Sequence, residues 1–220
     1  MSTPPRWLDR LAHDLRGPLT PLQTAAYLLR SGQLEPERQQ ELFVLIERQT
    51  RRLARMIEEL GDWSRASQHA LLGAREPCEP ALLLDNAISG ISGIRFADAT
   101  APVVVDETGE TIVQGDPIRL IQLLRTLIEF AAARNNAPQV RMRIAGDRVQ
   151  IDVLDPGATP DPAQLAALLE EPLPEPFDEG LGLRLLIARA IAEAHVGTLV
   201  AETDVGGGLR LRCELPLAGN

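Results

Sequence analysis

His13 and Asp14 are neighbours in the stretch 11–22, LAHDLRGPLTPL, and Arg16 follows two residues later. A neutral imidazole nitrogen is nucleophilic near neutral pH. A carboxylate beside the ring can accept a hydrogen bond from its other nitrogen and stabilise the positive charge that develops during attack. Arg16 supplies a permanent cation that suits an anionic reactant. Taken alone, a helical histidine is more often an ordinary exposed residue. The choice rests on its surroundings.

Two later stretches could also do chemistry. Asp155, Pro156 and Gly157 end an apolar run, where an aspartate either caps a turn or points a carboxylate at a ligand. Gly180, Leu181, Gly182 and Leu183 open a helical pattern, and the free N–H groups of a helix start suit phosphate oxygens. The same glycine pair can simply permit close packing of helix on sheet. Cys78 and Cys213 lie far apart and read as reduced thiols. His13, His69 and His195 lack metal-ligand spacing with them. All 22 basic residues are arginine, so a lysine-dependent mechanism is excluded.

The elements that must position these groups follow from the apolar pattern. Hydrophobic residues are 45% of the 220 but aromatics only 3%, so the core must be aliphatic. A net charge of -9 opposes binding driven by nucleic-acid phosphates or an anionic membrane surface. No apolar run approaches the roughly 18 residues of a membrane span, and no signal peptide opens the chain, so a soluble, cytoplasmic protein is expected.

From Trp7 to Leu29 the residues Leu8, Leu11, Leu15, Leu19, Leu22, Ala26 and Leu29 make one helical stripe. Its phase survives Pro18 and Pro21, which predicts one bent helix rather than two. After Ser31–Gln33, Pro36 fits the first turn of a second helix reaching about Ser67. Two long amphipathic helices on a short connection make an antiparallel hairpin, and dimerisation into a four-helix bundle would bury both stripes. Periodicity fades over 67–80, which places the boundaries at 1–72 for the hairpin, 73–80 for a linker and 81–220 for the rest. There we expect helices at 81–91, 117–134, 163–169 and 182–194. Strands are expected at 103–105, 112–113, 140–144, 149–154, 198–203 and 209–215, with hairpin turns at Gly146-Asp147 and Gly206–Gly208. The second half is then an α/β sandwich, one helical layer on a mixed sheet.

HDLRGPL on the first helix resembles the phosphoacceptor motif of sensor histidine kinases, and RQTRRLARMIEELGDWSR resembles the second helix of their dimerisation domain. GDPIRLIQLLRTLIEF, VLDPG and GLGLRLLIARAIAEAHVG resemble, in order, segments of their ATP-binding domain. The resemblance covers nearly the whole chain. It implies that His13 carries a phosphoryl group, that Asp14 assists it and that Arg16 helps neutralise the group. It further implies a homodimer whose partner is a response-regulator receiver domain docking beside His13, with Leu22, Ala25, Ala26 and Leu29 as candidate contacts. No nucleic acid or membrane partner is expected. Gly17 stands where many members carry a threonine or asparagine that orients water, which argues against phosphatase activity.

Carried over residue by residue, the ATP site departs from the family. Asp116, Pro117, Arg119 and Leu120 fit the turn into the asparagine helix, but the magnesium-binding asparagine falls on Phe130, which has no lone pair to offer. The motif's basic and aromatic positions fall on Ala133 and Arg134, and Asn135 and Asn136 come too late to substitute, reading as capping or loop residues. Asp155 would accept from the adenine amino group, and Gly157, Gly180 and Gly182 would bind nucleotide. Thr159 replaces a glycine of the first glycine motif, while Asp178 and Glu179 stand before GLGL. The lid segment 160–177 is short, with five prolines and no basic residue. ATP and magnesium are thus expected as cofactors only if the kinase activity holds, and no metal ligand is assigned. The departures favour a phosphotransfer carrier exchanging its phosphoryl group with receiver aspartates. The alternatives are an active ATP-dependent kinase that autophosphorylates His13 and a non-catalytic pseudokinase that binds a receiver or kinase.

Overall fold

The structure is a computed structural model that describes residues 7–32, 34–91, 103–134 and 138–218. By internal contacts the chain divides into two compact units, Met1–Gly61 with Leu173–Leu183, and Asp62–Pro172 with Arg184–Asn220.

The first unit is built on the helices α1 (Trp7–Arg30) and α2 (Pro36–Ser67). Pro18 and Pro21 lie inside α1, which stays one helix as the unbroken stripe predicts. At its end the Ser31 N–H reaches the Tyr27 and Leu28 carbonyls, and Gly32 takes the positive φ of 68° that terminates helices. Pro36 opens α2 with Glu37 in its first turn, where an acid complements the helix dipole. Ala25, Leu42 and Met56 are buried in the hairpin. Tyr27, Phe43, Val44 and Ile57 are 53–74% exposed, because two helices cover only one side of each other.

The second unit contains α3 (Pro80–Ser89), α4 (Pro117–Ala133) and α6 (Arg184–Ala194) with a five-stranded sheet. Its strands are β2 (Val103–Glu107), β4 (Gln139–Ala145), β5 (Arg148–Asp155), β6 (Thr198–Thr203) and β7 (Leu209–Pro216), in the order β2-β4-β5-β7-β6. Only β2–β4 is parallel. The pairs Val149↔Leu215, Ile151↔Cys213 and Val153↔Leu211 present one buried face. The helical layer supplies Leu120, Leu123, Leu124, Leu127 and Ile128 from α4 and Leu185, Ala188 and Ile191 from α6, all buried. Burying one such aliphatic side chain contributes roughly 1.5–3 kcal/mol, so this aliphatic layer replaces the missing aromatics.

On the other side chains of β5, Gln150 donates to Asp152, and Arg212 of β7 closes on Asp152 at 3.0 Å. That polar ladder explains why β5 carries buried polar residues between its apolar ones. A second, two-stranded sheet pairs β1 (Glu76–Cys78) with β3 (Val113–Gly115). The sequence pattern missed β1, which has three residues with Pro77 in the middle and no alternation to read. The short helix α5 (Pro162–Ala167) is capped by Asp161, whose carboxylate accepts from the Ala163 N–H.

Candidate functional site

His13 lies on α1 with its side chain 89% exposed. Its Nδ1 is 3.3 Å from Oδ1 of Asp14. A carboxylate can only accept, so this contact selects the tautomer with the proton on Nδ1 and leaves the Nε2 lone pair outward. That is the arrangement a nucleophilic imidazole needs. Arg16 is exposed on the same helix, one turn from His13. An incoming anion therefore meets an accessible nitrogen, a nearby cation and a carboxylate that compensates the ring.

Of the residues assigned to partner contact, Ala26 is exposed and Leu22 and Leu29 are half-buried. Ala25 is a correction: it is fully buried, its methyl group packed within the hairpin, and it has no surface to offer a partner. Gly17 is exposed, and a Cβ there would meet nothing within 4 Å.

In the second unit, Asp116 caps α4 by accepting from the Ile118 and Arg119 N–H groups at 3.0 and 3.2 Å, and its other oxygen accepts from Gly73 at 2.7 Å. The Asp116 N–H donates to Nε2 of His195 at 2.9 Å, while Nδ1 of His195 faces the Ile191 carbonyl at 2.7 Å. His195 is therefore neutral with its proton on Nδ1, and burial, outweighing that carbonyl, holds it below the usual histidine range. Arg119 also donates to Asp62 at 2.8 Å, and Gln122 donates to the other Asp62 oxygen at 2.7 Å. Burial works to raise the Asp62 carboxyl, but hydrogen bonds from Gln122, Arg65 and Arg119 win and hold it below the usual range.

Phe130 is 7% exposed on α4, packed as an apolar core residue. Asp155 is 1% exposed at the end of β5, with both carboxylate oxygens engaged: Oδ1 accepts from the Gly157 N–H at 3.0 Å and Oδ2 from the Arg134 guanidinium. Arg134 also donates to the Ala158 carbonyl at 3.1 Å. Thr159, in place of a glycine, accepts from the Gly208 N–H at 3.0 Å. Asn135 and Asn136 lie outside the described residues.

The loop 178–183 belongs to the first unit, as does Glu59 of α2. The Leu181 and Leu183 N–H groups donate to the two oxygens of the Glu59 carboxylate at 3.1 and 2.9 Å. The Gly180 N–H donates to Asp178 at 3.0 Å. Gly182 has φ 78°, which keeps it out of α6 and starts that helix at Arg184 rather than at 182.

Two family profiles match the chain in sequence order. Residues 6–69 match the His Kinase A (phospho-acceptor) domain, and residues 115–219 match the histidine kinase-, DNA gyrase B- and HSP90-like ATPase. The chain belongs to the histidine kinase family. Among curated relatives, the sensor protein ChvG of Agrobacterium fabrum is 30% identical over 94% of this chain, which spans 38% of its length. The sensor histidine kinase GlrK of Escherichia coli is 28% identical over 98% of the chain, which spans 47% of that protein. The chain thus spans under half the length of both. Among solved structures, the Acinetobacter baumannii histidine kinase AdeS aligns with TM-score 0.73 at 21% identity, over 94% of this chain and 98% of that one. The histidine kinase ThkA, solved in complex with the response regulator TrrA, aligns with TM-score 0.75 at 18% identity, over 96% of this chain and 61% of ThkA. At these identities the structures speak for the fold alone.

His13 is in contact with Asp14, and the Gly157 N–H donates to Asp155, while Gly180 and Gly182 lie in one loop and hydrogen-bond to other residues. The position the resemblance gives to a magnesium ligand does not fit the ion, because a buried phenyl ring has no donor atom for it. Among the described residues no group of three or more His, Cys, Asp or Glu side chains is placed to hold a metal. No helix among them is long and apolar enough to cross a membrane. Glu59, Asp62 and His195 were not singled out by the motifs as functional. Glu59 and Asp62 gave no signal in the sequence, since α2 carries several other acids and only the fold buries these two.

Proposed function

We propose that this chain is the phosphoryl-handling core of a two-component signalling protein in which His13 is the phosphoacceptor. The observation that carries the reading is the exposed ring whose Nδ1 is held by Asp14. In the transfer, Nε2 of His13 attacks phosphorus, the bond from phosphorus to the leaving oxygen breaks, and the phosphoryl group rests on Nε2. The Nδ1 proton stays shared with Asp14, which offsets the imidazolium charge; positioning and charge compensation are what this chemistry demands. Arg16 is the chain's cation for the phosphoryl oxygens. A receiver aspartate then takes the group from Nε2, with Leu22, Ala26 and Leu29 as the docking contacts on α1. A homodimer is part of the proposal, since a second hairpin covers Tyr27, Phe43, Val44 and Ile57.

For the donor, similarity to parts of sensor kinases over nearly all of this chain favours ATP-dependent autophosphorylation over a carrier without kinase activity. The second reading, a carrier charged by a phosphorylated receiver, has one specific observation in its favour: Phe130 buried where a cation ligand is needed. No step is routed through magnesium bound by this chain.

A paired assay separates the two. The protein is incubated with labelled ATP and magnesium and, separately, with a phosphorylated receiver, using His13→Ala as control. Label on His13 from ATP supports the kinase reading; label from the receiver alone supports the carrier. Label from neither overturns the phosphoacceptor assignment.

A further inference from the structure

The glycine loop is already occupied by carboxylates of its own chain. Glu59, 5% exposed, takes the Leu181 and Leu183 N–H groups, one on each oxygen, and Asp178 takes that of Gly180. An anionic acceptor bound by two backbone N–H groups just before a helix start makes the same demand as a phosphate. A phosphate oxygen and the Glu59 carboxylate cannot share those donors, and two such anions a few ångströms apart in a buried site repel strongly.

The fit is specific. A Cβ on Gly180 would lie 1.7 Å from Oε1 of Glu59, so the absent side chain makes the space the carboxylate fills. A Cβ on Gly182 would lie 2.4 Å from the Leu173 carbonyl, and the Leu173 N–H closes the loop onto the Gly182 carbonyl at 3.0 Å. Arg52 donates to the Glu179 carbonyl at 2.9 Å, and Arg55 approaches the Glu179 carboxylate at 4.0 Å. Arg52, Arg55 and Glu59 follow the i, i+3, i+7 spacing of one helix face. That face of α2 grips the loop by its backbone and its acid while Glu59 enters its centre.

We propose that Glu59 is an internal stopper of the glycine loop, an autoinhibitory contact that must withdraw before the loop can take a nucleotide phosphate. The inference rests on the reading that this loop receives phosphate in the ATP-dependent reaction. Any displacement of α2 that draws Glu59 back frees two N–H donors together, so the loop passes between a sealed and an open state.

The test uses the full chain, with amide hydrogen exchange of the 178–184 segment as one readout and calorimetric ATP binding with magnesium as the other. In Glu59→Ala the Leu181 and Leu183 amides should exchange at least tenfold faster than in the unmodified protein, and ATP should bind at least tenfold tighter. Glu59→Gln, which keeps the acceptor oxygen but loses the charge, should fall between them. Unchanged exchange in Glu59→Ala overturns the stopper whatever ATP does. Faster exchange with no gain in ATP binding overturns the phosphate-accepting loop, and with it the kinase reading, while leaving Glu59 as its occupant. If Glu59→Ala does not fold, Gly180→Ala carries the exchange test, because its methyl group displaces the carboxylate; unchanged exchange there overturns the stopper too.

Discussion

At the scale of residues, hydrogen-bond chemistry decides more than charge count. Asp14 matters because it can only accept and so fixes which nitrogen of His13 faces outward. His195 works the opposite way: buried and neutral, it accepts from the Asp116 N–H and so supports the cap of α4. Its proton affinity in the folded state lies below the ordinary value of 6.5, with desolvation as the leading cause. The unfolded chain therefore binds this proton more readily, and the His195 contribution is complete above about pH 6.5 and is lost as the pH falls below it. Urea midpoints at pH 7.5 and 5.5 should show a larger drop for the unmodified protein than for His195→Gln; equal drops would contradict the role. The sequence could not announce this histidine, since its partners are a backbone N–H 79 positions away and a carbonyl one turn back. His13 was legible because its partner is its neighbour.

Among the elements, long periodic segments were readable and short ones were not. The stripe through Pro18 and Pro21 kept its phase, and α1 is a single helix. The strand β1 was invisible because three residues around a proline carry no period. The start of α6 was read two residues early, since the positive φ of Gly182 is set by its approach to Leu173 and not by local pattern. A Cβ on Gly17 would meet nothing beyond its own helix and its chain neighbours, of which the Pro18 ring crowds a residue that precedes it in a helix. Gly17→Ala should stabilise the protein by at most about 1 kcal/mol, the usual difference between these residues in a helix interior, less what contact with the Pro18 ring takes back. Denaturant unfolding at neutral pH checks it, and a loss of stability would mean that α1 needs the freedom of glycine there.

For the whole molecule, the fold class was legible because apolar period and turn chemistry agree throughout, and because five motifs fall in family order. The state of the residues assigned to nucleotide binding was legible only in part. Phe130 could be read as an obstacle from its type, but the Glu59 carboxylate on the loop amides and Arg134 on Asp155 are contacts of the folded chain. The exposed apolar residues of the hairpin bear on assembly. Sedimentation should give about twice the chain mass of 24.0 kDa, and Phe43→Arg with Ile57→Arg should return it to one chain; an unmodified protein that stays monomeric at micromolar concentration would contradict the four-helix bundle. The central claim, that His13 carries the phosphoryl group, is tested most directly by mapping the label after exposure to ATP with magnesium and to a phosphorylated receiver. The expected result is an acid-labile phosphoryl group on His13 from at least one donor, absent in His13→Ala. Label that persists in His13→Ala, or no label from either donor, would contradict it.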